Sequence, residues 1–269
     1  MRKLLIAMLL VIAVVGYAQG AEPFDFVVIQ PGQPGSSQDA QPVMDALAAY
    51  LRDKLGGSVT VRGHYFNEAS AASAFLATHQ PRWGIVSLGY FLTYHGAGCL
   101  VPLAATRPGG ADSDVWRLMV VQDGPDDWRA VNGSVEGTML FQPQVAARLM
   151  FRRPVGGMPF ALKGTFRPLS SLRNLSRGKG AGVILDKPQF DAIQALPQSS
   201  RLKVIAASDA LPTPAVVSFG PPGKLHARLY KVLQSMKQDP AAADLLKLLQ
   251  TDGFGPPDAR LKTLKGKGL

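Results

Sequence analysis

The chain has 269 residues, 29 Lys+Arg against 19 Asp+Glu, and a net charge of +10. With 46% apolar and 18% charged residues it is not a disordered chain, and its single cysteine excludes a disulfide scaffold. The basic excess leaves nucleic acid, a membrane surface or an anionic ligand as candidate partners.

Residues 1–20 read as an export signal. Arg2 and Lys3 form a positive start, Leu4 to Val15 is an apolar run, and Ala18-Gln19-Gly20 is a small-x-small site. The run is shorter than the roughly 20 residues that span a bilayer, so cleavage after Gly20 and a periplasmic product are expected. No cysteine follows it to carry a lipid. Processing lowers the charge from +10 to +8. Cys99, with no partner in the chain, is expected to be a buried, inert thiol.

Beyond the signal, strands and helices alternate. Phe24 to Gln30 reads as a buried strand, ended by the turn residues Pro31 to Ser37. Ser37 or Asp39 caps a helix from Gln41 to Leu55, whose Val43, Leu47, Tyr50, Leu51 and Leu55 share one face. Ser58 to Tyr65 predicts a second strand, Glu68 to Thr78 a short helix, Trp83 to Leu88 a third strand and Leu100 to Thr106 a fourth. A Gly/Asp-rich break from Pro108 to Asp114 precedes the apolar strand Val115 to Gln122. A second unit follows: strands Val135 to Phe141, Ala181 to Asp186 and Leu202 to Ala206, with helices Gln144 to Arg152, Leu169 to Arg177 and Pro188 to Ala195. Strand Ala215 to Phe219 and helices Lys224 to Lys237 and Ala241 to Gln250 complete the chain before a basic tail, Lys262 to Lys267. The alternation predicts an α/β fold built on parallel sheets.

Motifs for catalysis are missing. There is no P-loop and no G-x-S-x-G elbow, and Gly178-Lys179-Gly180-Ala181-Gly182 lacks the strand–loop–helix setting of a dinucleotide fingerprint. His64, His79, His95 and His226 stand in no metal-ligand spacing. A binding protein with no cofactor and no metal is therefore expected, not an enzyme. Charge is uneven: from Phe141 to Gly180 there are eight basic residues and no acid. That stretch offers either an attractive field for an anion or a solvated face. Aromatic residues are not interleaved with it, which argues against nucleic acid.

Several stretches resemble the type II periplasmic solute-binding proteins of ABC importers, in particular their phosphate/phosphite/phosphonate-binding branch. Trp83 to Gly89 is similar to the family's segment at the end of the third strand, and Val115 to Gln122 to its crossover strand. Ala181 to Asp186 is similar to its "G-A-V-D" segment. Met236 to Pro240 with Thr251 to Phe254 resembles its ending. The resemblance spans nearly all of the mature chain. It implies two lobes, 21–121 with 208–269 and 122–207, each a mostly parallel sheet flanked by helices. It also implies a hinge near Gln122 and Ser208, and a small, anionic, phosphonate-like solute closing the cleft. The partners implied are that solute and an inner-membrane ABC permease, with the protein itself a monomer.

Ligands in such sheets sit beyond the carboxyl ends of strands, which selects candidate residues independently of the family. These are Gln33, Ser36 and Ser37 after the first strand, Ser87 and Tyr90 after the third, and Thr106 after the fourth. In the second lobe they are Phe141, Gln142 and Asp186. One departure matters. The family opens the first helix of its second lobe with a Ser-Thr-Ser run that holds phosphonate oxygens. Here Val145-Ala146-Ala147 replaces it, forfeiting roughly 0.5–1.5 kcal/mol for each hydroxyl bond. A non-transport sensor or adaptor on the same fold is the alternative.

Overall fold

The structure, a computed structural model, describes residues 22–56, 59–96 and 99–265. The expected signal peptide lies outside the described residues, as does the end of the basic tail. Among the described residues no helix is long and apolar enough to cross a membrane.

The first lobe begins with β1 (Glu22–Pro23), β2 (Phe26–Ile29), α1 (Ser37–Leu55), β3 (Val59–Thr60) and β4 (Gly63–Phe66). It continues through α2 (Ala69–Leu76), β5 (Trp83–Val86), α3 (Leu88–Tyr94) and β6 (Leu100–Thr106). The second lobe holds β7 (Arg117–Val121), β8 (Ser134–Gly137), α4 (Pro143–Phe151), β9 (Ala161–Gly164) and α5 (Pro168–Leu175). It ends with β10 (Gly182–Leu185), α6 (Lys187–Gln194) and β11 (Leu202–Ala207). The chain then returns as β12 (Ala215–Phe219), α7 (Lys224–Ser235), α8 (Ala243–Leu248), β13 (Phe254–Gly255) and α9 (Arg260–Lys265).

Two sheets result, ordered β13-β6-β12-β5-β2-β4 and β11-β7-β10-β8-β9, beside the small pair β1-β3. In each large sheet four strands run in one direction. The strand that brings the chain across from the other lobe, β7 or β12, runs antiparallel to both its neighbours. The reason is geometric. A strand entering from the cleft side must run away from the cleft, against strands that end there.

Arg117–Val121, assigned from sequence to the first lobe, therefore pairs in the second sheet. The first change of sheet falls between Thr106 and Arg117, ahead of the expected crossing at Gln122. The second falls between Ala207 and Ala215. The two crossings lie side by side. Asp114 and Leu211 exchange backbone hydrogen bonds of 2.9 and 2.8 Å. Ser208 Oγ accepts the Trp116 amide at 3.0 Å.

The strands are short and apolar because both faces are covered. On β2, Phe26 and Val28 face a core under α1, α7 and α8, while Val27 and Ile29 face the opposite core, which runs on to α3 and α4. Trp83 is fully buried and stacks on Phe26 with centroids 4.7 Å apart. Gly63 is required beneath them, since a Cβ there would enter the Phe26 ring. The outer face of the second sheet packs Leu172, Leu175 and Ile193 from α5 and α6 against Met119, Val183 and Leu185.

Three local expectations change. The strand expected to reach Phe141 stops at Gly137, and Thr138–Phe141 forms a 3-10 turn that carries Met139 and Leu140 into the core. Ala161–Gly164, too short and exposed to read as a strand, adds an edge to the second sheet. Cys99 is exposed, not buried, at a turn before β6; Leu100 takes the buried place beside it.

Candidate functional site

The carboxyl ends of β2, β5 and β6 face those of β8 and β10 across a cavity of about 170 Å³. Its wall comes from both lobes and both crossings. The first lobe gives Gln30, Gln33, Ser87, Gly89 and Thr106. The crossings give Asp114, Trp116 and Thr213, and the second lobe gives Thr138, Gln142, Asp186 and Gln189. The lobes touch at two points beside it. A Cβ at Gly32 (φ 90) would collide with the Thr138 carbonyl and the Phe141 ring, and one at Gly89 would lie 2.7 Å from Gln142 Oε1.

Asp186 ends β10 and caps α6, its Oδ1 accepting the Gln189 amide at 2.8 Å. Burial, reinforced by the nearby charge of Asp114, pushes its carboxyl up to about 7. Asp114 is raised as well, chiefly by burial. Opposing that rise, its Oδ1 accepts the Lys187 amide at 2.7 Å and its Oδ2 the Trp116 indole N–H at 2.8 Å. Among the described residues Lys187 is the one cation in the wall, and its ammonium is paired with Asp191. The cavity's fixed side-chain charge is thus acidic. All eight basic residues of the 141–180 stretch are exposed and none lines it, so the stretch does not supply the cavity with cations.

Gln142 is 7% exposed and lines the cavity, and its Nε2 has no hydrogen-bond partner. A buried amide donor without an acceptor costs about 1–3 kcal/mol, which a ligand oxygen would recover. Ser87 Oγ accepts the Tyr90 amide at 3.2 Å, leaving its O–H able to donate into the cavity. No lining side chain is a histidine or a cysteine. The arrangement suits holding a small polar molecule by a protonatable acid, an amide and a hydroxyl.

Five sequence candidates thus meet at the cavity: Gln33, Ser87, Thr106, Gln142 and Asp186. Four do not. Ser36 caps α1 in a capping box with Asp39, and Ser37 Oγ donates to the Tyr65 carbonyl at 2.7 Å. Tyr90 is 2% exposed and packs on Tyr94, because its position in α3 turns it into the core. Phe141 lies in the 3-10 turn against Phe166. The stretch where the resemblance implies a Ser-Thr-Ser run lies in the core: Val145, Ala146 and Ala147 are at most 3% exposed. Asp114, Thr138, Gln189 and Thr213 were not anticipated. Asp114 closes the Gly/Asp-rich break, and Thr213 stands between two prolines; those interruptions were the available signal.

No protein-family model matches the chain, and no curated protein matches it in sequence. Solved structures do match. A Xanthomonas citri protein bound to ATP is 18% identical, with a TM-score of 0.69 over 91% of this chain and 96% of that one. A binding-protein component of an ABC phosphonate transporter from Pseudomonas aeruginosa is 13% identical, with a TM-score of 0.66 over 91% and 86%. A Prochlorococcus marinus protein in complex with methylphosphonate is 10% identical, with a TM-score of 0.65 over 91% and 96%.

Proposed function

From a chain with the two-lobed fold of the type II periplasmic binding proteins, we propose the solute-binding component of an ABC importer. It is exported with its signal removed, remains a monomer, and delivers a small solute to an inner-membrane permease. The observation that carries this reading is the shared cavity, built from both lobes and from both crossings. A ligand there contacts both lobes only when they close, so its differential affinity drives closure.

The proposed ligand is small and bears an oxyanion of the phosphonate type. Gln142 Nε2, the Ser87 hydroxyl and protonated Asp186 are the donors, and Asp114 receives any ammonium the solute carries. At about 170 Å³ the cavity is well below the roughly 300–1,000 Å³ of pockets that hold drug-sized molecules, which favours a solute of few heavy atoms. That argues against a nucleotide in this cavity, although the Xanthomonas protein was solved with one.

Calorimetric titration with methylphosphonate, an aminoalkylphosphonate, phosphate, phosphite and a sulfonate tests the reading. Binding of one of these, weakened by Gln142→Met, is expected. Failure of every small solute to bind would sink it. One observation favours the sensor or adaptor alternative: the stretch that would cradle phosphonate oxygens is packed into the core. Capture of a signalling protein by the ligand-free form, with no solute bound, would support that alternative.

A further inference from the structure

A second hollow, about 700 Å³, lies at the junction of the lobes. Its wall is the carboxyl end of α4, the second crossing at Asp209–Leu211, and α9. Leu149, Leu211 and Leu264 make it apolar in part; Arg148, Arg152, Arg153 and Arg260 surround them, against one carboxylate, that of Asp209, among the described residues.

The arginines are not equally engaged. Arg260 is consumed by structure: Asp258 holds it, and it donates to the carbonyls of Ala210 and Asp112, one on each crossing. Arg152 meets Asp209 at 3.2 Å, but both side chains are 81% exposed, so the pair is loose and exchangeable. Arg153 only overlies the Trp128 ring, 5.8 Å from its centroid. Neither Arg148 nor Arg153 has a carboxylate partner among the described residues. The end of a helix attracts cations, but its partial negative charge is about half a unit, far less than three arginines carry. Arg152 moreover occupies the left-handed position (φ 55) that closes α4, where glycine is usual.

We propose that this hollow is a binding site for an organic phosphate, distinct from the interlobe cavity. Planar guanidinium forks match phosphate oxygens two at a time, and the leucines accept the hydrocarbon part of an ester. The ligand would bridge α4 of the second lobe to the crossing and α9. It would displace Asp209 from Arg152. A soluble phosphomonoester and a phospholipid headgroup share this chemistry.

The test uses the full chain with glycerol 3-phosphate as the soluble probe, and vesicles of phosphatidylglycerol or of phosphatidylcholine alone. Saturable, salt-sensitive binding is expected. Arg148→Gln with Arg153→Gln should weaken it by roughly tenfold or more, with an unchanged melting temperature in the absence of probe. Asp209→Asn should tighten it, a gain that a purely structural role would not give. Co-sedimentation with phosphatidylglycerol vesicles but not with phosphatidylcholine identifies the lipid as source. Binding of glycerol 3-phosphate without co-sedimentation identifies the soluble ester. The proposal is overturned if neither probe binds or if the double arginine variant binds as well as the parent. It is overturned too if Asp186→Asn, in the cleft, is the change that abolishes binding.

Discussion

Asp114 and Asp186 approach the same cavity from different parts of the fold, one from the first crossing and one from the end of β10. A single peptide joins them: the Lys187 amide, next in chain to Asp186, donates to Asp114 Oδ1 at 2.7 Å. The charge of Asp114 thereby adds to burial in holding the Asp186 carboxyl up to about 7.

The pH dependence of stability follows. Unfolded, Asp186 releases its proton near 4; folded, near 7. Between those values the folded protein binds more protons, so stability falls as pH rises through the window, by at most about 4 kcal/mol. Asp186→Asn keeps a good helix cap and removes the titration. It should melt higher than the parent at pH 8, at roughly 2–4 °C per kcal/mol, and match it near pH 4. Equal melting temperatures at both pH values would contradict the assignment.

Ligand binding should carry the same signature. A phosphonate-like oxyanion accepts a bond from protonated Asp186, so its affinity should fall as pH rises from 6 to 8. A solute held by an ammonium should show the opposite trend, because ionised Asp186 attracts it. Titrations at three pH values distinguish the two solute classes.

Gln142→Met exchanges an orphaned buried amide for a side chain of similar length. Stability of the ligand-free protein should be unchanged or rise by about 1 kcal/mol, since the uncompensated Nε2 is gone. Affinity for the solute should fall by about tenfold. Urea unfolding and calorimetry on the same preparation separate the two effects.

Gly32 and Gly89 are places where a single methyl group would prop the lobes apart. At Gly32 it would strike the backbone carbonyl of Thr138, and its φ of 90 adds strain. At Gly89 it would meet the far end of the Gln142 side chain, 2.7 Å from Oε1, rather than backbone. Gly32→Ala should therefore impair closure more than Gly89→Ala, which also gains about 1 kcal/mol of helix propensity. A larger radius of gyration in solution scattering for Gly32→Ala, with weaker solute binding, is the expected order.

Ser208 fastens the crossings by accepting the buried Trp116 amide at 3.0 Å. Ser208→Ala leaves that N–H without its acceptor and should cost about 1–3 kcal/mol. Chemical denaturation reads the loss directly.

The elements are more legible in the sequence than the site is. Apolar runs such as Phe26–Ile29 and Gly182–Leu185 are legible because a strand covered on both faces must be apolar throughout. Turn and cap residues marked where they stop. Ser87, Thr106 and Asp186, at strand ends, therefore lie in the cavity wall. Tyr90 turns into the core instead, because a strand end specifies a loop, not the direction of each side chain on the helix that follows. Asp114 is not legible as a wall residue because its partner there is the amide of Lys187, 73 residues away in sequence.

By itself, the sequence determined the strand–helix alternation and the apolar run Val145-Ala146-Ala147 that α4 buries. These are local properties of composition and period. Only the tertiary structure decided where the charge goes. The basic stretch that dominates the sequence lies on the exposed surface of the second lobe, and three of its arginines gather at the hollow beside the second crossing. The interlobe cavity instead holds two carboxylates from distant segments. Net charge sums over residues wherever they lie, whereas a site's electrostatics depends on the few groups that folding brings within a few ångströms and removes from water.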